Sequence, residues 1–246
     1  MAEYTLRVFR GDSTGGEERE YRVQAEEGWV VLDAIHAIQR EQDGSLACRW
    51  NCKAAKCGSC SAEINGIPSL MCKTRLDALP PGPIRVYPLK TFPLIRDLVT
   101  DVSWNYEQAK KIRPFTYDTA IGDRPFRIRQ RDVERVQEFR KCIECFLCQN
   151  VCHVLREHDL KDHYFGPRQM IRLASLEMHP MDTANRAEMI WQQAGVGYCN
   201  ITKCCEEVCP ESIRITDNGI IPLKERVIDS RGLLRVLRGL VRKRTG

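Results

Sequence analysis

No stretch of about 18 uninterrupted apolar residues occurs in the 246-residue chain, and its mean hydropathy is -0.40, so the sequence offers no membrane-spanning helix. The amino terminus, Met1-Ala2-Glu3-Tyr4, lacks a basic region followed by an apolar stretch and a small-residue cleavage site. Nothing therefore directs the chain to an oxidising compartment, and its thiols are expected to stay reduced. There is little excess charge of either sign: a net charge of +5, spread along the chain, gives no footprint for nucleic acid, and no basic recognition helix stands outside the last turns. Internal repeats and low-complexity tracts are also missing. The length suits two domains of ordinary size.

Cysteine is absent before Cys48 and after Cys209, yet thirteen cysteines crowd into three tight groups between those positions. An odd number in such groups suits metal ligation better than disulfide pairing.

The first hundred residues read as strands around one helix, a small α+β domain. Tyr4, Leu6 and Val8 alternate with Thr5, Arg7 and Phe9, a Gly-rich turn follows over Gly11 to Gly16, and Glu20 to Gln24 alternates again as a return strand. Val31, Ala34, Ile35 and Ile38 then recur at helical spacing. A strand over Ser61 to Asn65 turns at Asn65-Gly66, and Ile84 to Tyr87 forms another beyond the Pro80-Pro81-Gly82-Pro83 breaker. From Asp101 the period becomes helical, with Met170, Ile171, Ala174 and Met178 behind Pro167 placed as a first helical residue. The boundary between the halves falls near residues 100 to 110.

Cys52, Cys57 and Cys60, in the order Cys-x4-Cys-x2-Cys with Cys72 downstream, have the plant-type spacing for a 2Fe-2S cluster. Ala54, Ala55, Gly58 and Ser59 are small enough for a loop to wrap two irons closely. A structural zinc site is the bland alternative, but it asks for two separated Cys-x2-Cys pairs and only one is present here. Cys48 would stretch the first interval to x8 and reads as a spare thiol.

Cys142, Cys145, Cys148 and Cys152 reproduce the Cys-x2-Cys-x2-Cys-x3-Cys run of bacterial ferredoxins, whose fourth cysteine ligates the other cluster of a pair. The reciprocal run is Cys199, Cys205 and Cys209-Pro210, with Thr202 where its second cysteine would stand. Cys142, Cys145, Cys148 and Cys209 thus give four thiolates for a 4Fe-4S cluster. Cys152, Cys199 and Cys205 give only three, which fits 3Fe-4S. Cys204 is one residue off the template, so its side chain is expected to leave in another direction; a role as fourth ligand and a free thiol both stay open. Clusters of purely structural purpose are the remaining bland reading.

These motifs, in this order, resemble the iron-sulfur subunits of succinate dehydrogenases and fumarate reductases over nearly the whole chain: Cys52-x4-Cys57-Gly58-Ser59-Cys60 with Cys72, Arg140-Lys141-Cys142-Ile143-Glu144-Cys145, and Cys199-x5-Cys205-x3-Cys209-Pro210. The resemblance implies an α+β chain with a β-grasp, plant-type ferredoxin-like domain over 1–103 and an all-α, α-helical ferredoxin domain over 104–246. It implies an electron-transfer subunit of succinate:quinone oxidoreductase, in the respiratory chain and the tricarboxylic acid cycle, with no catalytic residue of its own for the dicarboxylate. Its partners would be an FAD-containing flavoprotein subunit and membrane-anchor subunits with or without haem. Its place would be the cytoplasmic face of the inner (plasma) membrane. The direction, succinate oxidation or fumarate reduction, is not readable.

The chain departs from many family members after Cys152, where it has His153-Val154-Leu155-Arg156-Glu157-His158 in place of Cys-Pro and a nearby quinone-binding tryptophan; Asn200 replaces a histidine after Cys199. The family's quinone residues are therefore not carried over, and quinone, menaquinone by this reading, is expected mainly in the anchor. His153, His158 and His163 stand among Arg156, Glu157, Asp159, Lys161 and Asp162, a pattern commoner in solvated loops than in proton relays. Arg231, Arg235, Arg238, Arg242, Lys243 and Arg244 flank Leu233, Leu234, Leu237, Leu240 and Val241, a basic amphipathic stripe suited equally to headgroups, to an anchor or to its own domain. A redox regulator or a soluble ferredoxin shuttle has no need of three clusters in two domains. Iron-sulfur subunits of other flavin dehydrogenases commonly lack the group at Cys52 to Cys72.

Overall fold

The long first hairpin organises the amino-terminal half of the computed structural model, which describes residues 1–122 and 126–231. Strand β1 (Ala2–Asp12) pairs antiparallel along its whole length with β2 (Gly15–Ala25). Its tight turn is held by Asp12, whose carboxylate accepts from the Thr14 N–H and hydroxyl at 2.8 and 2.6 Å. Leu6 and Val8 point inward, as the alternation in sequence requires. Helix α1 (Val31–Glu41) lays Val31, Leu32, Ala34, Ile35, Ala37 and Ile38 on the same core.

Strands β3 (Ser61–Ile64), β4 (Ile67–Leu70), β5 (Ile84–Tyr87), β6 (Leu94–Arg96) and β7 (Val99–Thr100) complete one sheet in the order β4-β3-β5-β1-β6-β7, with β2 attached to β1. The β1–β5 pairing is parallel, Leu6 beside Ile84, so the chain must cross over between them; α1 and the cysteine loop occupy that crossover. The inward row of β1 ends in a charge, Arg10. It is satisfied by Asp97 at 3.0 Å, Asp43 at 2.5 Å and the Ser45 hydroxyl at 2.8 Å, as a buried guanidinium must be.

Beyond residue 100 the described residues form helices and loops: α2 (Ser103–Lys111), α3 (Gln130–Gln137), α4 (Leu147–Val151), α5 (His153–Arg156), α6 (Gly166–Glu177), α7 (Ala187–Gln192), α8 (Cys204–Glu207) and α9 (Ile221–Arg231). A π-helical turn, Ile215–Ile220, leads into α9. Met170, Ile171, Ala174 and Met178 are buried on one face of α6, as their spacing predicts, against Ile215, Ile220, Leu223 and Val227. Pro167 is the second residue of α6 and Gly166 the first. Only glycine fits there, because φ is +81° and a Cβ would come 2.0 Å from Gln149 Oε1. The basic stripe over 231–246 lies outside the described residues, apart from the backbone of Arg231.

Two hydrophobic cores form, one beneath the sheet and one within the helices. A buried polar seam joins them. Glu63 of β3 accepts from Asn150 Nδ2 of α4 at 2.8 Å and pairs with Arg156 at 3.0 Å and Lys90 at 3.3 Å; Asn150 Oδ1 in turn accepts from the Thr91 N–H at 3.0 Å. Glu63 is only 1 % exposed, so truncating it strands the buried Asn150 amide and leaves Arg156 and Lys90 without their carboxylate. Glu63→Ala is expected to destabilise the chain by about 3 kcal/mol, the low end for a broken buried pair because Arg156 and Lys90 can turn toward water. Denaturant unfolding checks this; a loss below about 1 kcal/mol contradicts it.

Candidate electron-transfer centres

The loop from Cys48 to Cys60 forms no regular element, and three of its residues, Lys53, Ala55 and Gly58, have φ of 53°, 54° and 68°. Two of them are not glycine, and each left-handed residue costs about 1–2 kcal/mol. What the loop gains is a set of amides turned toward sulfur. The N–H groups of Ala54 and Lys56 both donate to Cys52 Sγ at 3.3 Å, that of Ala55 to Cys72 Sγ at 3.3 Å and that of Cys52 to Cys57 Sγ at 3.5 Å. Cys72 arrives from the turn after β4, and Cys60 stands just before β3. Burial pushes the Cys57 thiol up, but hydrogen bonds from Ser59 and from the Cys52 and Ser59 amides outweigh it and bring it to about 6; burial takes Cys60 to about 12. Cys48 packs on the core beneath the sheet, with its thiol 3.7 Å from the Arg49 carbonyl.

Cys142, Cys145 and Cys148 meet Cys209 around one apolar cavity, whose wall also includes Ile171, Ile213 and Arg168. The loop between the first three winds through Glu144 and Phe146 at φ of 56° and 61°, and the Ile213 N–H donates to Cys209 Sγ at 3.4 Å. Burial raises Cys142, takes Cys145 to about 12 and holds Cys148 well above the ordinary thiol range. Thiols so placed give up their protons only to a metal that repays the desolvation of the thiolate.

Cys152 closes α4, while Cys199 and Cys205 come from the segment before and within α8. Burial raises Cys152 to about 11 and Cys205 to about 12, and the thiols of Cys199 and Cys204 add to both shifts. Cys205 Sγ lies 3.6 Å from the Thr216 hydroxyl. The Tyr164 hydroxyl is buried beside Cys199, Cys152 and Cys205 and has no well-formed hydrogen bond to any described protein atom. Cys204 Sγ lies 3.4 Å from Thr202 Oγ1, at the corner where the template lacks its cysteine. It is therefore nearer the site than its one-residue offset suggests.

Buried donors beside two of the thiol groups, Arg168 Nε and the Tyr164 hydroxyl, and amides aimed at cysteine sulfur beside the first and second groups fit the surroundings of iron-sulfur clusters. Among the described residues no three His, Cys, Asp or Glu side chains converge closely enough for a single metal ion. Thiolates that hold a multi-iron cluster bind different irons and stand further apart than the ligands of one ion.

The three sites are mechanically joined. A Cβ on Gly58 would lie 2.5 Å from Cys145 Cα, and the Ser61 hydroxyl touches the carbonyls of both Gly58 and Cys145, at 2.8 and 2.9 Å. Lys73 Nζ reaches the Pro210 carbonyl at 3.0 Å. Cys148 and Cys152 lie one helical turn apart at the two ends of α4. The histidines do not converge: His153 faces His158, while His163 stacks on Tyr198. Tyr164, Arg168 and Glu63 went unread in the sequence. The one available signal was Arg168, a charge at the start of an apolar helical stripe.

Comparison with known proteins first gives the class. Residues 5–107 match a 2Fe-2S iron-sulfur cluster binding domain and residues 138–213 a 4Fe-4S dicluster domain, making this a ferredoxin-like two-domain iron-sulfur protein. A chain of the Mycobacterium smegmatis Sdh1 complex in the apo form is 58% identical, with a TM-score of 0.90, over 93% of this chain and 96% of that one. The fumarate reductase iron-sulfur subunit of Mycobacterium tuberculosis is 31% identical over 78% of this chain and 79% of its own length; the succinate dehydrogenase iron-sulfur subunit of Bacillus subtilis is 31% identical over 83% and 84%. This chain belongs to the family of iron-sulfur subunits of succinate dehydrogenases and fumarate reductases. It is an electron-transfer subunit of that oxidoreductase, not the dicarboxylate-binding flavoprotein, and its matched domains are those of 2Fe-2S and 4Fe-4S cluster proteins.

Proposed function

We propose that the chain conducts electrons from an FAD-containing flavoprotein that oxidises succinate to quinone at a membrane anchor, with Cys52, Cys57, Cys60 and Cys72 holding 2Fe-2S, Cys142, Cys145, Cys148 and Cys209 holding 4Fe-4S, and Cys152, Cys199 and Cys205 holding 3Fe-4S. The observation that carries this is Cys209, which shares one apolar cavity with three cysteines more than sixty positions earlier, as reciprocal ligation demands. The chain divides by this reading into a β-grasp domain, 1–103, and an α-helical ferredoxin domain, 104–246, with Phe146 and Leu147 of the second packed into the core beneath the sheet of the first.

When bound, the clusters take up and release single electrons. The residues of the chain set where and how readily. The Gly58–Cys145 contact and the α4 turn fix the intervals between sites, the apolar walls exclude water, and amides on sulfur favour the more negative state. Cys52 is exposed, so its end of the row is open to a flavoprotein.

Among the described residues no helix is long and apolar enough to cross a membrane, which suits a peripheral subunit held on the cytoplasmic face of the plasma membrane by an anchor. Quinone, menaquinone by this reading, binds mainly in that anchor, whether or not it carries haem. The exposed His158 and half-exposed His153 beyond Cys152 support this, since they provide no apolar slot for a ring. A quinone photolabel that attached to residues 152–160 would overturn it. The reverse direction, fumarate reduction, would use the same row and is the activity named for the Mycobacterium tuberculosis relative.

The test is low-temperature EPR of the anaerobically purified complex, with iron and acid-labile sulfide analysis. Three cluster signals that respond to succinate are expected; zinc in these sites, or no labile sulfide, overturns the reading.

A further inference from the structure

Arg168 enters the 4Fe-4S cavity for a reason that packing alone does not supply. Its side chain is 7% exposed and lines the same cavity as Cys142, Cys145, Cys148 and Cys209. One terminal nitrogen pairs with Glu144, which lies between Cys142 and Cys145, and the Arg168 main-chain N–H donates to Gln149 Oε1 at 3.3 Å. The Nε–H is buried and has no partner among the described protein atoms. A guanidinium donor is rarely left without an acceptor, because an unmade hydrogen bond in a dry site is costly. The missing acceptor is expected on the side where cluster sulfur would lie.

We propose that Arg168 donates its Nε–H to a sulfur of the 4Fe-4S cluster and, by that bond and its buried charge, raises the reduction potential of this cluster alone. The proposal rests on the ligand reading given above. Its sign follows from charge. Reduction makes the cluster more negative, so a nearby cation and donor stabilise the reduced form. Glu144 offsets the effect only in part, because it is 42% exposed and partly screened by water while Arg168 is buried. Only arginine can pair with Glu144 through one nitrogen while a second donor of the same rigid plane faces elsewhere; lysine would keep the charge but lose that geometry. Arg168 is thus a positioning and tuning residue, and the iron is bound without it.

The test is a redox titration by EPR of all three clusters in the intact complex, comparing wild type with Arg168→Gln, Arg168→Lys and Glu144→Gln. Arg168→Gln is expected to lower the 4Fe-4S midpoint by at least about 59 mV, a tenfold shift of a one-electron equilibrium, with the 2Fe-2S and 3Fe-4S midpoints unmoved. Arg168→Lys should recover part of the loss, and Glu144→Gln, which frees the cation, should move the midpoint upward. An unchanged 4Fe-4S midpoint in Arg168→Gln, or equal shifts in all three clusters, overturns the proposal. If Arg168→Gln fails to assemble the cluster, Glu144→Gln decides, since it leaves Arg168 in place; no rise there overturns the proposal. Absence of a 4Fe-4S signal in the wild type would instead defeat the ligand reading.

Discussion

Replacing Cys209 with alanine is expected to abolish the 4Fe-4S signal and bring succinate-dependent quinone reduction to background, although the whole run Cys142-Cys145-Cys148-Cys152 remains in place. The reason is positional. Cys209 closes the cavity lined by Cys142, Cys145 and Cys148, and the Ile213 amide already holds its sulfur in orientation. Substitutions of groups that merely support a ligand cost about 10–100-fold in metal affinity, and losing the ligand itself costs more. The site cannot recruit a substitute. The carboxylate on its wall, Glu211, is paired with Lys56, and Cys205 belongs by the proposed assignment to the neighbouring site beside Thr216. EPR of the reduced complex reads the outcome. A surviving 4Fe-4S signal in Cys209→Ala would mean that the fourth thiolate comes from within the first run, and the reciprocal arrangement would fail with it.

Thr202→Cys should have the opposite effect: it adds an iron. By the proposed assignment the 3Fe-4S site has three thiolates, because threonine occupies the template's second position and Lys203 at φ 63° then turns the chain into α8. A cysteine at 202 supplies the fourth ligand where a fourth iron would sit. The expected result is loss of the 3Fe-4S signal of the oxidised protein, a gain of one iron per chain, and a lower potential at the last step of the row. Cys204 is the competitor, since its sulfur already lies 3.4 Å from Thr202 Oγ1. Were Cys204 a ligand, Thr202→Cys would leave the spectrum unchanged and Cys204→Ser would alter it. Iron analysis with EPR separates these cases.

The amino-terminal half was legible because its signals are local. The Tyr4-Leu6-Val8 alternation, the Val31–Ile38 stripe and the Asn65-Gly66 turn each declare one element, and the structure has each in its place. Strands β6 and β7 escaped notice because three and two residues carry no period, and Asp97 between them is recognisable only through Arg10, 87 positions away. In the helical half the cysteine spacing announced the sites better than periodicity announced the helices. Helices α4, α5 and α8 have five residues or fewer, and cluster loops rather than an apolar stripe set their limits. Tyr164, and Arg168 beyond its being a charge at the start of an apolar stripe, escaped the sequence for a further reason. What singles them out is the lack of a partner for one buried atom, a property of the folded interior that no spacing encodes.

The contact of Gly58 with Cys145, bridged by the Ser61 hydroxyl, means that the two halves are not interchangeable parts. A chimera that took its first hundred residues from a distant relative would inherit a loop shaped for another chain's surface. With any larger residue at 58, the front of the molecule would ride up by a side chain's thickness. Tunnelling falls off steeply with distance, so such a hybrid could fold, load every iron and still conduct poorly.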